Sequence, residues 1–293
     1  MIRLLNSLET GTTTGDQLQT LLADTGRQGE LTALLNLRSQ TKRLASSATA
    51  MSAVAGSPTA MTAIGASATA TSAVLGSPTA NPIIYNATVG VGSFLNECRK
   101  RDGLPSDATL AGLTTLSAVA GSSTAMSAVA GSSTAMSAVV GSSTAMSAVV
   151  GSSTAMSAVV GSPTAMSAVA GSSTALTALN ASDTAMNALY ASALIVKVNY
   201  GAGWYGETAT RTGIGLFVRL TSKGNQAGWG EGSTGNEYVK YDGTAISQSI
   251  RNADPYNHTG LTASPRLPMR RFASSMAVHG YNAMEIAYIP LTA

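Results

Sequence analysis

The sequence predicts an α + β, multidomain chain: a solenoid-like stalk of short capped helices with a ten-residue period, followed by a C-terminal antiparallel β-rich, sandwich-like domain. Three observations lead there. Charged residues make up 11% of the 293 residues, well below the quarter usual in a soluble domain, and aromatics only 5%. A decapeptide recurs along the middle of the chain. Beyond residue 192 the composition changes: eleven of the fourteen aromatics and nine of the seventeen basic residues lie in 193–293.

The repeat is best seen from Gly121, where GSSTAMSAVA, GSSTAMSAVV (three times), GSPTAMSAVA, GSSTALTALN and ASDTAMNALY follow one another. Each decad carries the parts of one short helix. Ser162 caps it, Pro163 suits the first helical position, and Gly171 is expected as a left-handed stop. Met166 and Val169, with Ala165, put the apolar groups on one face, leaving Ser and Thr outside. One continuous helix is excluded: ten residues at about 100° each fall about 80° short of three turns, so the apolar stripe would circle the rod. Breaks are therefore expected at Gly121, Gly131, Gly141, Gly151, Gly161 and Gly171. A β-solenoid is the second choice, disfavoured because Ala and Met are poor strand residues. A helix of two turns is unstable alone, so the units must stack on their neighbours. Met126, Met136, Met146, Met156 and Met166 then read as core spacers.

The divisions that follow are 1–46, a helical attachment segment with Leu at helical spacing over Gln17–Leu22 and Glu30–Leu44; 47–80, a first repeat array; 81–111, an inserted joint or knob with a short helix around Phe94, Leu95 and Cys98; 112–192, the second array; and 193–293, the β-rich tip. Strands are expected at Leu194–Tyr200, Ile214–Thr221, Glu237–Tyr241, Ser275–Val278 and Met284–Ile289.

A net charge of +3 without a basic patch argues against nucleic acid as partner. The run Arg99, Lys100, Arg101 reads as a solvated helix end. No stretch of about 20 apolar residues offers a membrane helix, and the N-terminal apolar run is too short for a signal peptide. Cys98 is alone, so a disulfide or a Cys-based zinc site is excluded, and the two histidines, His258 and His279, lack metal-ligand spacing. No cofactor or metal is expected. A catalytic pair among Glu207, Glu231, Glu237, Asp242, Asp254 and Glu285 has no sequence support beyond the presence of carboxylates. Loop aromatics beside short polar groups suit sugar stacking or a protein epitope, which makes Trp204, Tyr205, Trp229, Asp254, Tyr256, Asn257 and His258 the candidate ligand-binding residues. The competing reading is that both Trp residues fill the core or an interchain contact.

The SSTAMSAVAGS-type units between residues 44 and 190, behind a helical N-terminal segment and ahead of a Gly- and aromatic-rich end, resemble the repeats of bacteriophage virion fibre proteins, such as tail fibres and head or baseplate appendages. The resemblance implies a non-enzymatic structural protein on the virion surface, made in the host cytoplasm. It further implies a homotrimer whose amino end meets other virion proteins and whose tip attaches to a host cell-surface glycan or protein. A decoration or connector fibre docking onto other virion proteins is the alternative, and a fibre carrying a depolymerase site is a third.

Overall fold

The computed structural model describes residues 2–200, 205–222, 238–242, 244–247, 270–280 and 284–291. They are mostly helical, with antiparallel sheets in the C-terminal part, an α + β chain. Two compact units divide it, Met1–Thr184 and Ala185–Ala293.

The first unit begins with α1 (Ile2–Glu9), α2 (Gly15–Leu21), α3 (Thr25–Asn36) and α4 (Arg38–Ser46). The single helical stretch expected over Glu30–Leu44 is broken at Leu37, which is extended (φ −93°, ψ 106°). Next come α5 (Ala48–Ala55), α6 (Pro58–Ala66), α7 (Ala68–Leu75), α8 (Ala80–Tyr85), α9 (Val91–Lys100) and α10 (Ala108–Gly112). The second array forms α11 (Leu116–Gly121), α12 (Ser123–Ala130), α13 (Ser133–Val140), α14 (Ser143–Val150), α15 (Ser153–Val160), α16 (Pro163–Ala170), α17 (Ser173–Asn180) and α18 (Asp183–Ala191). Every decad is thus its own two-turn helix, as the phase argument requires.

How the chain breaks between helices differs from the expectation. Gly171 is not a left-handed stop: its φ is −81° and ψ −9°, an ordinary right-handed value. The turn is made by the next residue, the capping serine, which is extended (Ser172 φ −112°, ψ 115°). Ala181 ends α17 with the same backbone, φ −83° and ψ −7°, so the glycine is dispensable for the turn.

Consecutive helices α13 and α14 meet at a bend of 100°. Three such bends bring the chain back over itself, so each helix packs on the one three further along: α12 on α15, α13 on α16, α14 on α17, and in the first array α4 on α7 and α5 on α8. The segment 81–111 joins this packing, with α8 against α5 and α9 against both α6 and α13. Inside lie Ala, Met and Val: Ala145 and Met146 are fully buried and Val149 nearly so, while Ser147 is exposed. Burial of these modest side chains, at about 25 cal/mol per Å², holds helices that are unstable singly.

The second unit has β1 (Val196–Tyr200), β2 (Tyr205–Thr212), β3 (Gly215–Ser222), β4 (Tyr238–Tyr241), β5 (Thr244–Ser247), β6 (Arg270–Phe272), β7 (Ser275–Gly280) and β8 (Met284–Pro290). Two four-stranded antiparallel sheets result, in orders β1-β8-β3-β6 and β2-β7-β4-β5. The central strand β8 pairs with β1 through Val198↔Ile286 and with β3 through Leu220↔Ile286. Phe217 and Phe272 are fully buried, and Phe272 meets Tyr288 edge-on at 6.4 Å between centroids. The expected strands coincide with β1, β3, β4, β7 and β8. The sequence reading missed β2, whose YGETATRT is too polar for a period-2 signal, and the short β5 and β6.

Candidate functional site

The first unit owes its geometry to one side chain used twice. Each capping serine accepts a hydrogen bond from the amide three residues on, as Ser162 Oγ does from Ala165 (3.2 Å). In several of them the same hydroxyl also donates to a main-chain carbonyl 32 residues earlier: Ser152 to Ala120, Ser162 to Ala130 and Ser172 to Val140, all at 2.6 Å. Ser67 to Leu35 (3.1 Å) and Ser77 to Ala45 (2.6 Å) repeat this in the first array. The acceptors belong to helix ends, whose last four carbonyls have no partner within their own helix. Corner therefore sits over corner, and the serine of one layer completes the helix end of the layer beneath. The expectation that serine faces outward is corrected for this position: Ser132 and Ser142 are buried, and the other caps of the second array are half-buried.

Where the lower layer is not a decad, a side chain supplies the acceptor. Gln19 Oε1 accepts from Ser57 Oγ (2.7 Å) and the Thr59 amide (3.1 Å). Asp102 Oδ2 accepts from Ser132 Oγ (2.6 Å), the Thr134 amide (3.0 Å) and Ser133 Oγ (3.3 Å), and its other oxygen from the Thr134 hydroxyl. Burial, the largest single influence on Asp102, pushes its carboxyl up, but the bonds from Ser132, Thr134 and Ser133 together hold it below the usual 3.8. Close approach fixes the same region. A Cβ on Gly92 of α9 would lie 1.9 Å from the Leu110 carbonyl oxygen, and the Gly92 amide donates to Leu113 (2.9 Å). Cys98 is buried, its thiol pushed up to about 12 chiefly by that burial. This makes it a packing residue rather than a nucleophile.

In the second unit, Asp242 closes the β4–β5 hairpin with φ 49°, a left-handed value that Asp tolerates, and Tyr241 pairs with Thr244 across the two-residue turn. Its carboxylate accepts from the amides of Ala273, Ser274 and Ser275 and from the Ser274 hydroxyl. The Ala273 amide bond, outweighing burial, and those from Ser274 and Ser275 bring it down to about 2. The Asp-Gly pair at 242–243 is the sequence signal for this hairpin. Glu285, nearly buried on β8, accepts from the Tyr190 hydroxyl, whose ring lies 3.7 Å from Lys197 Nζ. Both carboxylates are thus engaged in holding the unit together. Glu207 lies in β2, and Glu231, Glu237 and Asp254 fall outside the described residues.

Of the seven candidate ligand-binding residues, Tyr205 opens β2, opposite Gly280. Trp204, Trp229, Asp254, Tyr256, Asn257 and His258 lie outside the described residues. In sequence, Trp204 falls between β1 and β2, Trp229 between β3 and β4, and the other four between β5 and β6. Among the described residues there is no group of three or more His, Cys, Asp or Glu suited to a metal, and no single helix is long and apolar enough to cross a membrane.

Sequence reasoning missed a cavity of about 430 Å³ at the amino-terminal layer, lined by Leu4, Leu18, Leu21 and Leu22 together with Arg3, Arg27 and Glu30. In sequence its leucines carry only a helical pattern. Comparison with protein-family models and with curated proteins finds no match. The phage-fibre reading therefore rests on the repeats themselves.

Proposed function

We propose that this chain is a bacteriophage virion fibre protein: a multidomain molecule in which a solenoid-like stalk carries a sandwich-like C-terminal tip that attaches to the host surface. The observation that carries the reading is the serine ladder. A layer whose serines close the helix ends of the layer beneath can be reiterated at will, without charges or cofactors, and spacing two ends apart is what such a body does well. Residues 1–46 supply the end that meets other virion proteins, and 193–293 the end that meets a host glycan or protein. The candidate residues Trp204, Tyr205, Trp229, Asp254, Tyr256, Asn257 and His258 offer rings and hydrogen-bonding groups of the kind a sugar takes. A homotrimer would raise the avidity of a shallow site through multivalency. The reading is of a non-enzymatic protein exposed on the particle.

Deletion of residues 193–293 tests it. Particles should assemble with the truncated chain and lose cell binding. Failure to assemble would instead favour a connector fibre whose tip docks onto other virion proteins. A second measurement refines the site: alanine at Trp204 and Trp229 should weaken cell binding with the melting temperature unchanged.

A further inference from the structure

Consecutive helices of the second array lie on different faces of the stack, because each packs on the third one along. The corners between them are nevertheless interchangeable. Ser132, Ser142, Ser152, Ser162 and Ser172 all have φ between −117° and −109° and ψ between 115° and 123°. The bonds to the layer beneath are equally indifferent to the face, at 2.6 Å from each of Ser152, Ser162 and Ser172. Moreover α13, α14 and α15, one on each face, share the sequence STAMSAVV. One decapeptide therefore serves every face. Only the base is particular: Asp102, outside the repeat, accepts from Ser132 at 2.6 Å.

We infer that the array is an index: the number of decads, and nothing within any one of them, sets the face on which the helical unit ends. Loss or gain of one decad moves every later helix to the neighbouring face with its core and its serine bonds kept. Loss or gain of three restores the face and changes only the number of layers. The physical reason is that a repeat contacts its neighbours alone, and here the neighbours present the same groups. Without Gly151–Val160, the third helix before α16 is α12 in place of α13, and Ser162 exchanges the Ala130 carbonyl for that of Ala120. With Gly151–Val160 duplicated, α16 packs on α14, and Ser162 meets the carbonyl of Val140. In both cases Ala, Met and Val of one helix still face Ala, Met and Val of another.

The test uses the full chain and its two variants, one lacking and one duplicating Gly151–Val160. Ser137 of α13 and Ser167 of α16 line one cleft, so pyrene labels on cysteines at these positions report the packing by excimer emission. Ser127, Ser137 and Ser147 are exposed and Ser167 is half-buried, whereas Cys98 is buried and escapes the label. Ser167→Cys is combined in turn with Ser127→Cys, Ser137→Cys and Ser147→Cys. Excimer emission is expected from the pair with Ser137→Cys in the unaltered chain, with Ser127→Cys in the shortened chain and with Ser147→Cys in the lengthened one. Urea unfolding should stay cooperative in all three. Emission that remains with Ser137→Cys in either variant would overturn the inference, since packing would then follow the identity of the helices and not their count. Emission from two pairs in the same chain, or loss of cooperative unfolding in either variant, would overturn it as well.

Discussion

Ser122 and Ser152 offer a controlled measurement of what the serine ladder contributes. Both stand in the same hexapeptide, Gly-Ser-Ser-Thr-Ala-Met, both are half-buried, and both accept the cap bond from the third amide along, at 3.2 Å from Ala125 and 3.1 Å from Ala155. They differ in one respect. Ser152 also donates to the Ala120 carbonyl at 2.6 Å, and no such bond is formed by Ser122. Replacing Ser122 with Ala removes only the cap, at a cost of about 1 kcal/mol. In Ser152→Ala the carbonyl of Ala120 is orphaned as well, which adds about 1–3 kcal/mol. Glycine sharpens the contrast, because at a cap it costs only a few tenths of a kcal/mol relative to Ser. Ser152→Gly should therefore retain most of the Ser152→Ala loss, whereas Ser122→Gly should be nearly silent. Urea unfolding at 25 °C gives the comparison directly, provided the slope with denaturant is unchanged. Equal losses at the two serines, or a mild Ser152→Gly, would refute the argument that the hydroxyl binds one layer to the next.

Met146→Asp should cost several kcal/mol by placing an unpaired carboxylate among fully buried side chains, and Ser147→Asp should change the melting temperature little, since Ser147 is exposed. Gly92→Ala should unfold or strongly destabilise the first unit, because a Cβ would sit 1.9 Å from the Leu110 oxygen, whereas Gly151→Ala should be tolerated, its φ being −80°; thermal melts of the two variants decide this. Removing Ser142–Gly171, one full layer, should leave the helical circular dichroism per residue unchanged, and removing only Ser142–Met146 should abolish cooperative unfolding. Acid should weaken the second unit through Asp242: its folded carboxyl lies at about 2 against 3.8, so its contribution is present above 3.8 and is lost as pH falls toward 2. Asp242→Asn should flatten that part of the stability–pH curve.

The helices were legible because local rules decide them: a Ser or Ser-Pro start, a two-turn apolar face and a phase that forbids continuation. Their stacking was not. Every decad reads alike, so nothing in the sequence says whether a helix meets its second, third or fourth neighbour. That number follows from the 100° bend at an extended serine, a tertiary quantity. Segment 81–111 lost the repeat in sequence yet kept the packing, since Ile84, Tyr85, Phe94 and Leu95 bury as Met and Val do elsewhere. Gln19 and Asp102 gave no local sign of their role because their partners lie 38 and 30 residues away in the chain. The strands with β-branched or aromatic alternation were read correctly, and polar β2 was not.

The ladder also bears on how the chain finds its alignment. Ser152, Ser162 and Ser172 carry no address: each is flanked by nearly the same residues, and any of several carbonyls would satisfy it equally well. Addresses exist below them, in the unrepeated contacts of Gly92 with Leu110 and Leu113 and of Asp102 with Ser132 and Thr134. Alignment information therefore enters the second array from its amino-terminal side, and each layer inherits it from the one before, as a thread inherits its pitch from the first cut.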